Sequence, residues 1–131
     1  MKAVLYPATP NRIKSIMTNE KIFFSIGKSM NETARPMEVA LYETKNSGGS
    51  GKIVAVLWIG PGHEFQKRSV DHVKAMAYCP EHTFSASQIG GKKMFFYEIL
   101  FKQYLTPAKE IREVVWRGSI KPPRVWKFIE I

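Results

Sequence analysis

The opening stretch of the chain, residues 2–26, reads KAVLYPATPNRIKSIMTNEKIFFSI and carries the clearest structural signals. Its first residues, Lys2 to Tyr6, are mostly apolar, which is typical of a short strand. Thr9-Pro10 then predicts the start of a helix, because threonine caps the first turn and proline fits the first helical position. The aromatic run from Lys21 to Ile26 predicts a second strand. The chain is therefore expected to open as strand, helix and strand.

The predicted helix has an apolar stripe at helical spacing, which consists of Ile13, Ile16 and Met17. Arg12 and Lys14 lie outside this stripe, so we expect both side chains to reach solvent. Asn19 is the predicted end of the helix, because asparagine tolerates the left-handed backbone conformation that often closes a helix. We expect the helix to pack its apolar stripe across a sheet.

Four further strand signals follow along the chain, and they are Met37 to Thr44, Lys52 to Ile59, Met94 to Phe101 and Val125 to Ile131. The segment from Lys52 to Ile59 is strongly apolar, which predicts burial on both of its faces. The glycine-rich run Asn46 to Gly51 predicts a hairpin loop between two of the strands. Gly60-Pro61-Gly62 then ends the second of these strands.

Three short helical segments are predicted in the second half of the chain, and they are Val70 to Tyr78, Ser85 to Ile89 and a capped start at Thr106-Pro107. Short strands separated by glycine and proline, with a helix after the first, indicate an α+β fold. The 131 residues suit one domain and are too few for two ordinary ones. We therefore predict a single domain over residues 1–131, in which about six strands curl into a small β-barrel.

The charge of the chain is strongly positive, with 20 Lys and Arg against 11 Asp and Glu and a net charge of +9. Such a surplus attracts polyanions, and nucleic acid above all; the alternative is a basic surface that only keeps the protein soluble. Cys79 is the only cysteine, which excludes an internal disulfide and fits a reducing compartment. No stretch approaches the roughly 20 apolar residues that span a bilayer. We therefore expect a soluble, cytoplasmic protein that does not associate with membranes.

Four motifs occur in order along the chain. The first is Asn19-Glu20-Lys21 after the capped helix, and the second is Leu41 to Lys45 with the glycine loop and Lys52 to Val54. The third is Gly91-Lys92-Lys93 with Tyr97 to Ile99, and the fourth is Lys121-Pro122-Pro123 with Trp126. Together they resemble the ASCH family, a branch of the PUA-like β-barrel superfamily, over most of the chain. The last motif is similar to the double-proline strand of phage-associated members. The segment Gly60 to Cys79 resembles none of the family's motifs.

The resemblance places Lys21 at the lysine of the family's Gly-x-Lys-x-x-Glu-x-Arg motif. The acidic position then falls on Phe24, the arginine position on Ile26 and the leading glycine on Asn19. Some ASCH-type relatives are amidohydrolases acting on acetylated cytidine, and they use this lysine with a threonine at the position of Phe24 and a later glutamate. A phenyl ring has no proton to exchange. The resemblance therefore implies an incomplete catalytic set, in which Lys21 is catalytic only if the protein is an enzyme.

The candidates for nucleic-acid binding are Lys21, Arg12, Lys14, Lys28 and Arg35 around the first helix, with Trp116, Arg117, Arg124 and Lys127 near the end of the chain. Bases stack on aromatic rings and phosphates pair with Lys or Arg, so this mixture suits single-stranded nucleic acid. The alternative is a solvated charged face above buried tryptophans. Trp126 alternates with Phe128 and is expected in the core, whereas Trp116 is expected to be exposed.

Three functions are compatible with these residues. The first is an RNA-binding or other nucleic-acid-binding PUA-like module with a basic groove near Lys21. The second is an amidohydrolase on a modified nucleoside, with Lys21 catalytic and Glu43, Glu98 or Glu130 as the acid. The third is a phage-type effector that offers its basic face to an acidic protein partner. RNA or another nucleic acid is the expected partner.

No cofactor and no metal are predicted. His63, His72, Cys79 and His82 include a Cys-x-x-His spacing, but the upstream histidines have no recognised zinc spacing. We interpret these four residues as surface residues of loops and helices.

Overall fold

A computed structural model describes residues 2–26, 29–30, 36–65, 94–116 and 121–131. Its regular elements are β1 (Lys2–Ala8), α1 (Pro10–Thr18), β2 (Ile22–Ile26), β3 (Met37–Glu43), a 3-10 turn (Lys45–Ser47), β4 (Ile53–Ile59), β5 (His63–Phe65), β6 (Met94–Lys109), α2 (Ile111–Val114) and β7 (Lys127–Glu130). The predicted helices at 70–78 and 85–89 lie outside the described residues.

The strands form one mixed sheet in the order β2-β6-β4-β3-β1-β7, with β5 also paired to β6. β1 runs parallel to β3, and every other described pairing is antiparallel. The long strand β6 joins the two halves of the sheet, since residues 94–98 pair with β2 and residues 99–109 pair with β4. The sheet is a curled half-barrel with a helix after its first strand, which confirms the predicted fold. The three-residue strand β5 was not predicted.

Two apolar clusters fill the two sides of this sheet. The larger cluster places Ile13 and Ile16 of α1 against β1, β3 and β4, which confirms that the helix packs its apolar stripe on the sheet. The smaller cluster places Ile111 of α2 with Leu5 and Tyr42. β4 buries alternate residues only, so the predicted burial on both faces is wrong. Val56 and Trp58, on its second face, are partly exposed.

The ends of α1 follow the sequence with one correction. Thr9 caps the helix as predicted, since its hydroxyl accepts a hydrogen bond from the Arg12 backbone N–H at 3.2 Å. Asn19 also ends the helix as predicted, but its φ of −122° is not the left-handed conformation. Its backbone N–H instead donates to the Ser15 carbonyl at 2.9 Å, so the helix closes with an ordinary i to i−4 bond.

The predicted helix start at Thr106-Pro107 is wrong, because β6 continues through both residues to Lys109. The register against β4 shifts there, with Ile53 opposite Lys109 and Ala55 opposite Tyr104. Such an irregularity accommodates a proline, which has no N–H to donate to the ladder. The short helix α2 begins at Ile111, two residues after the end of β6.

The predicted hairpin loop is confirmed between the antiparallel strands β3 and β4. Gly48 and Gly51 adopt φ values of 82° and 69°, which glycine tolerates and which residues with a Cβ rarely adopt. In the described part of the chain, no helix is both long enough and apolar enough to cross a bilayer.

Candidate functional site

Lys21 lies at the junction between α1 and β2, and its side chain is exposed. The backbone at this position is fixed, because the Lys21 carbonyl accepts a hydrogen bond from the Ile99 N–H of β6 at 2.9 Å. Lys14 is also exposed, on the solvent side of α1, as predicted. Lys28 and Arg35, the other two predicted cations of this region besides Arg12, lie outside the described residues.

The prediction that Arg12 reaches solvent is wrong, because its side chain forms a buried ion pair with Glu20. The side chains are 12% and 1% exposed, and the Arg12 Nη1 group contacts Glu20 Oε2. The Ser15 hydroxyl donates to the same carboxylate oxygen at 2.7 Å. An ionised carboxylate is costly to bury without a cation and hydrogen bonds. The demand of Glu20 for such partners therefore explains why Arg12 turns inward.

The surroundings of the ion pair are mainly aromatic. The Arg12 guanidinium lies 5.2 Å from the centre of the Phe24 ring, a cation–π contact. Tyr6 packs edge-on against Phe23 with ring centres 4.7 Å apart. Burial raises the pKa of Tyr6 above its ordinary value, and the nearby Glu20 carboxylate adds to this effect while Arg12 opposes it. Phe24, which stands where the resemblance expects a polar residue, is thus part of this packing.

Lys102 of β6 contacts the end of α1 and the residue that precedes Lys21. Its ammonium donates to the carbonyls of Ile16 at 3.1 Å and of Glu20 at 3.0 Å. The first bond satisfies a carbonyl of the last turn of α1, which has no intrahelical partner, and the second fixes the backbone just after the helix. Lys102, the ion pair and Ser15 together fix the position from which Lys21 emerges.

Two buried atoms of the pair remain without a partner. Among the described residues, Arg12 Nη2 and Glu20 Oε1 make no hydrogen bond. A buried polar atom in this state costs about 1–3 kcal/mol. The ion pair therefore holds α1 against the sheet, although one polar atom of each residue lacks a hydrogen-bond partner among the described residues.

Sequence reasoning missed Tyr6, Glu20 and Lys102 as members of this cluster. No local pattern signals them, because Arg12 and Glu20 are eight residues apart and Lys102 lies on a distant strand. The acids proposed for an enzyme lie elsewhere. Glu43 Oε1 accepts the Ser50 N–H at 2.7 Å in the hairpin, whereas Glu98 is opposite Ile22 on β6 and exposed. Glu130 is half-buried in β7.

The C-terminal candidates separate into exposed and packed residues. The Trp116 side chain is 70% exposed as predicted, while its backbone N–H donates to the Glu130 carbonyl of β7 at 2.7 Å. Trp126 packs against the larger apolar cluster and meets the Phe128 ring edge-on at 5.2 Å, which confirms its expected core position.

The basic residues beside Trp116 are also partly accessible. Arg124 is exposed, and half-buried Lys127 donates to the Lys121 carbonyl at 3.4 Å. Arg117 lies outside the described residues.

Most of the histidine and cysteine set lies outside the described residues. His72, Cys79 and His82 lie outside the described residues, and only the backbone of His63 is described, in β5. Within the described ranges, no three His, Cys, Asp or Glu side chains are grouped closely enough to hold a metal ion.

Comparison with solved structures identifies the architecture. The crystal structure of the ASCH protein from Zymomonas mobilis matches 98% of this chain and 87% of its own, with a TM-score of 0.66 and 14% identity. The chain has the ASCH fold. A serine-to-alanine mutant of the same Zymomonas protein matches with a TM-score of 0.67 at 13% identity, over 98% of this chain and 88% of that chain. A tyrosine-to-phenylalanine mutant matches with a TM-score of 0.66 at 14% identity, over 99% and 91%.

The sequence itself matches no protein-family model and no curated protein. The ASCH fold is therefore established by the shape of the chain, as the resemblance in the four motifs predicted. The similarity of the last strand to phage-associated members stays a prediction.

Proposed function

We propose that this ASCH-fold chain is an RNA-binding module. The observation that carries the proposal is the exposed indole of Trp116, which is held against β7 by a backbone hydrogen bond. Stacking of one base on an aromatic side chain contributes roughly 1–3 kcal/mol to binding single-stranded nucleic acid. An exposed tryptophan on a fixed backbone is therefore suited to hold an unpaired base.

Exposed cations supply the phosphate contacts in this proposal. Lys121 and Arg124 lie on the segment that leads into β7, and Lys14 and Lys21 lie on and after α1. The buried ion pair of Arg12 and Glu20 excludes Arg12 from this group and leaves Lys21 as the cation at the helix–strand junction. The net charge of +9 favours the approach of any polyanion to these positions.

The test is a titration of labelled single-stranded RNA followed by fluorescence anisotropy. Trp116→Ala is expected to weaken binding roughly tenfold, since it removes one stacking contact. Lys21→Ala is expected to weaken binding by severalfold, because it removes one charge-assisted phosphate contact.

Lys52→Ala is the matched control for Lys21, since Lys52 is also exposed but lies after the hairpin loop. An equal loss in Lys21→Ala and Lys52→Ala would mean that net charge alone attracts the RNA. Undiminished binding by Trp116→Ala would remove the observation on which the proposal rests. Preference for an acidic protein over RNA would favour the effector alternative.

The amidohydrolase remains a second candidate because of one observation. Glu20 precedes Lys21 directly and keeps a carboxylate oxygen without a hydrogen bond among the described residues. Phe24 argues against the amidohydrolase, because an apolar ring in contact with the Arg12 guanidinium stands at the position where relatives with that activity carry threonine. We expect no turnover of acetylcytidine; turnover that Lys21→Ala abolishes would replace the binding module with the enzyme.

A further inference from the structure

A cleft of about 310 Å³ opens between the β3–β4 hairpin and α2. Its lining includes the buried residues Tyr42 and Ile111, which belong to the smaller apolar cluster. This cluster lies apart from the one that contains α1, so the cleft is separate from the Lys21 junction. Its volume stands at the lower end of the roughly 300–1,000 Å³ that small-molecule sites occupy. The cleft therefore suits a small molecule.

Lys45 is placed over this cleft by the hairpin. Its aliphatic carbons lie across Gly51, so close that a Cβ at position 51 would collide with them. Gly51 also needs its φ of 69°, which favours glycine. The described residues offer the Lys45 ammonium no hydrogen-bond partner. The glycine thus allows a lysine to lie along the cleft wall with its charge available to a ligand.

Arg112 supplies the second cation, from α2. Its Nε group pairs with Glu110 Oε2 at 2.8 Å, and the Arg112 side chain is 71% exposed. An exposed pair of this kind contributes only about 0–1 kcal/mol, so it leaves the Arg112 side chain able to turn toward a ligand. The Nη groups of Arg112 make no hydrogen bond or ion pair with the described residues. A guanidinium presents two parallel N–H donors, which match phosphate oxygens.

We propose that this cleft binds the phosphate group of a small phosphorylated molecule. Lys45 and Arg112 hold the phosphate, and the lining around Tyr42 and Ile111 contacts the rest of the ligand. Two cations face one acid in the lining, Glu110, so the balance favours an anion. This proposal does not depend on the RNA-binding proposal, because the lining of the cleft includes neither Lys21 nor Trp116.

The test uses isothermal titration calorimetry and amide NMR spectra of the full chain with four probes. Uridine 5′-monophosphate and ribose 5-phosphate are expected to bind and to shift the signals of Lys45, Gly51 and Ile111, whereas uridine is expected not to bind. Inorganic phosphate is the fourth probe. Binding of phosphate as tight as that of the two esters would identify free phosphate as the source of the recognised group, and weaker binding would identify an ester.

Variants separate the contacts. Lys45→Ala and Arg112→Ala are expected to weaken ester binding roughly tenfold each, because hydrogen bonds to charged groups are the strong ones. Glu110→Gln is expected to strengthen it severalfold, since it removes the acid of the lining. Lys2→Ala is the control, because it removes one exposed charge at the start of β1 and should leave ester binding unchanged.

Several results would overturn the proposal. They are the absence of binding by both phosphate esters at millimolar concentration, equal binding of uridine, or equal effects of Lys45→Ala and Lys2→Ala. Lys45 and Arg112 are exposed, so both variants are expected to fold, and dispersed NMR spectra of both variants check this directly. Failure of RNA binding with retained ester binding would contradict only the function proposed above.

Discussion

Glu20 is the residue on which the first helix of this chain depends. Its carboxylate receives Arg12 and Ser15, and its carbonyl receives Lys102, so one residue joins α1, the start of β2 and the middle of β6. Such a junction explains why a cation predicted to be solvated is buried. It also makes the helix sensitive to the loss of a single charge.

Glu20→Ala is expected to lower the free energy of unfolding by about 3 kcal/mol, because it leaves the Arg12 guanidinium buried without its partner. Urea denaturation followed by circular dichroism measures the loss. The control is Glu113→Ala, an exposed acid of α2, which should change stability by less than about 0.5 kcal/mol. Similar losses in the two variants would show that the buried pair contributes nothing special.

Among the elements, β3 and β4 form the centre of the sheet, yet their outward face is only partly covered. Glu38 of β3 lies opposite Trp58 of β4, and burial raises the pKa of the Glu38 carboxyl above its ordinary value. Because the folded-state pKa is raised, this carboxyl contributes to the stability of the folded protein at low pH, where it is protonated. That contribution is lost as the pH rises through the folded-state pKa, since the ionised form is then partly desolvated.

Glu38→Gln is therefore expected to stabilise the protein at neutral pH and to lose this advantage below about pH 4, where the wild-type carboxyl is protonated. Thermal unfolding of both proteins across this pH range measures the difference. Glu113→Gln replaces an exposed acid and serves as the control. A constant difference in Tm between Glu38→Gln and the wild type at all pH values would contradict the prediction.

The elements themselves were largely predictable, because each has a local signal. The cap at Thr9-Pro10 and the glycines of the hairpin fix chain reversals through backbone preferences alone. The burial of Arg12 was not predictable, since it depends on Glu20 and on strands that arrive later in the chain. Pro107 misled for the same reason, because a register shift between β4 and β6 accommodates it within a strand.

At the scale of the whole molecule, charge is the dominant property. The chain has a net charge of +9, and exposed lysines or arginines lie on α1, in the hairpin and on the segment before β7. The cleft beside α2 was invisible to sequence reasoning, because its lining residues come from positions 42–51 and 110–122. A field of this kind acts on any polyanion, whereas a cleft of about 310 Å³ has room only for a small molecule.

RNA binding by this proposal is expected to weaken steeply with salt, because each phosphate contact releases counterions. The logarithm of the affinity should fall linearly with the logarithm of salt concentration, and Lys21→Ala should reduce the slope by about one contact. Anisotropy titrations at several salt concentrations measure both slopes. Affinity that does not respond to salt would contradict a phosphate-based mode.

Among the described strands, β7 lies at one end of the sheet, and this position has a consequence for self-association. A sheet edge with unused backbone groups is a template onto which another chain can add a strand. Here the last strand is only four residues long, and the Trp116 N–H already occupies the Glu130 carbonyl. Lys127 places a charge on the same strand, which natural sheets use to discourage such pairing. The backbone bond that presents the indole therefore also occupies one acceptor to which an added strand could bind.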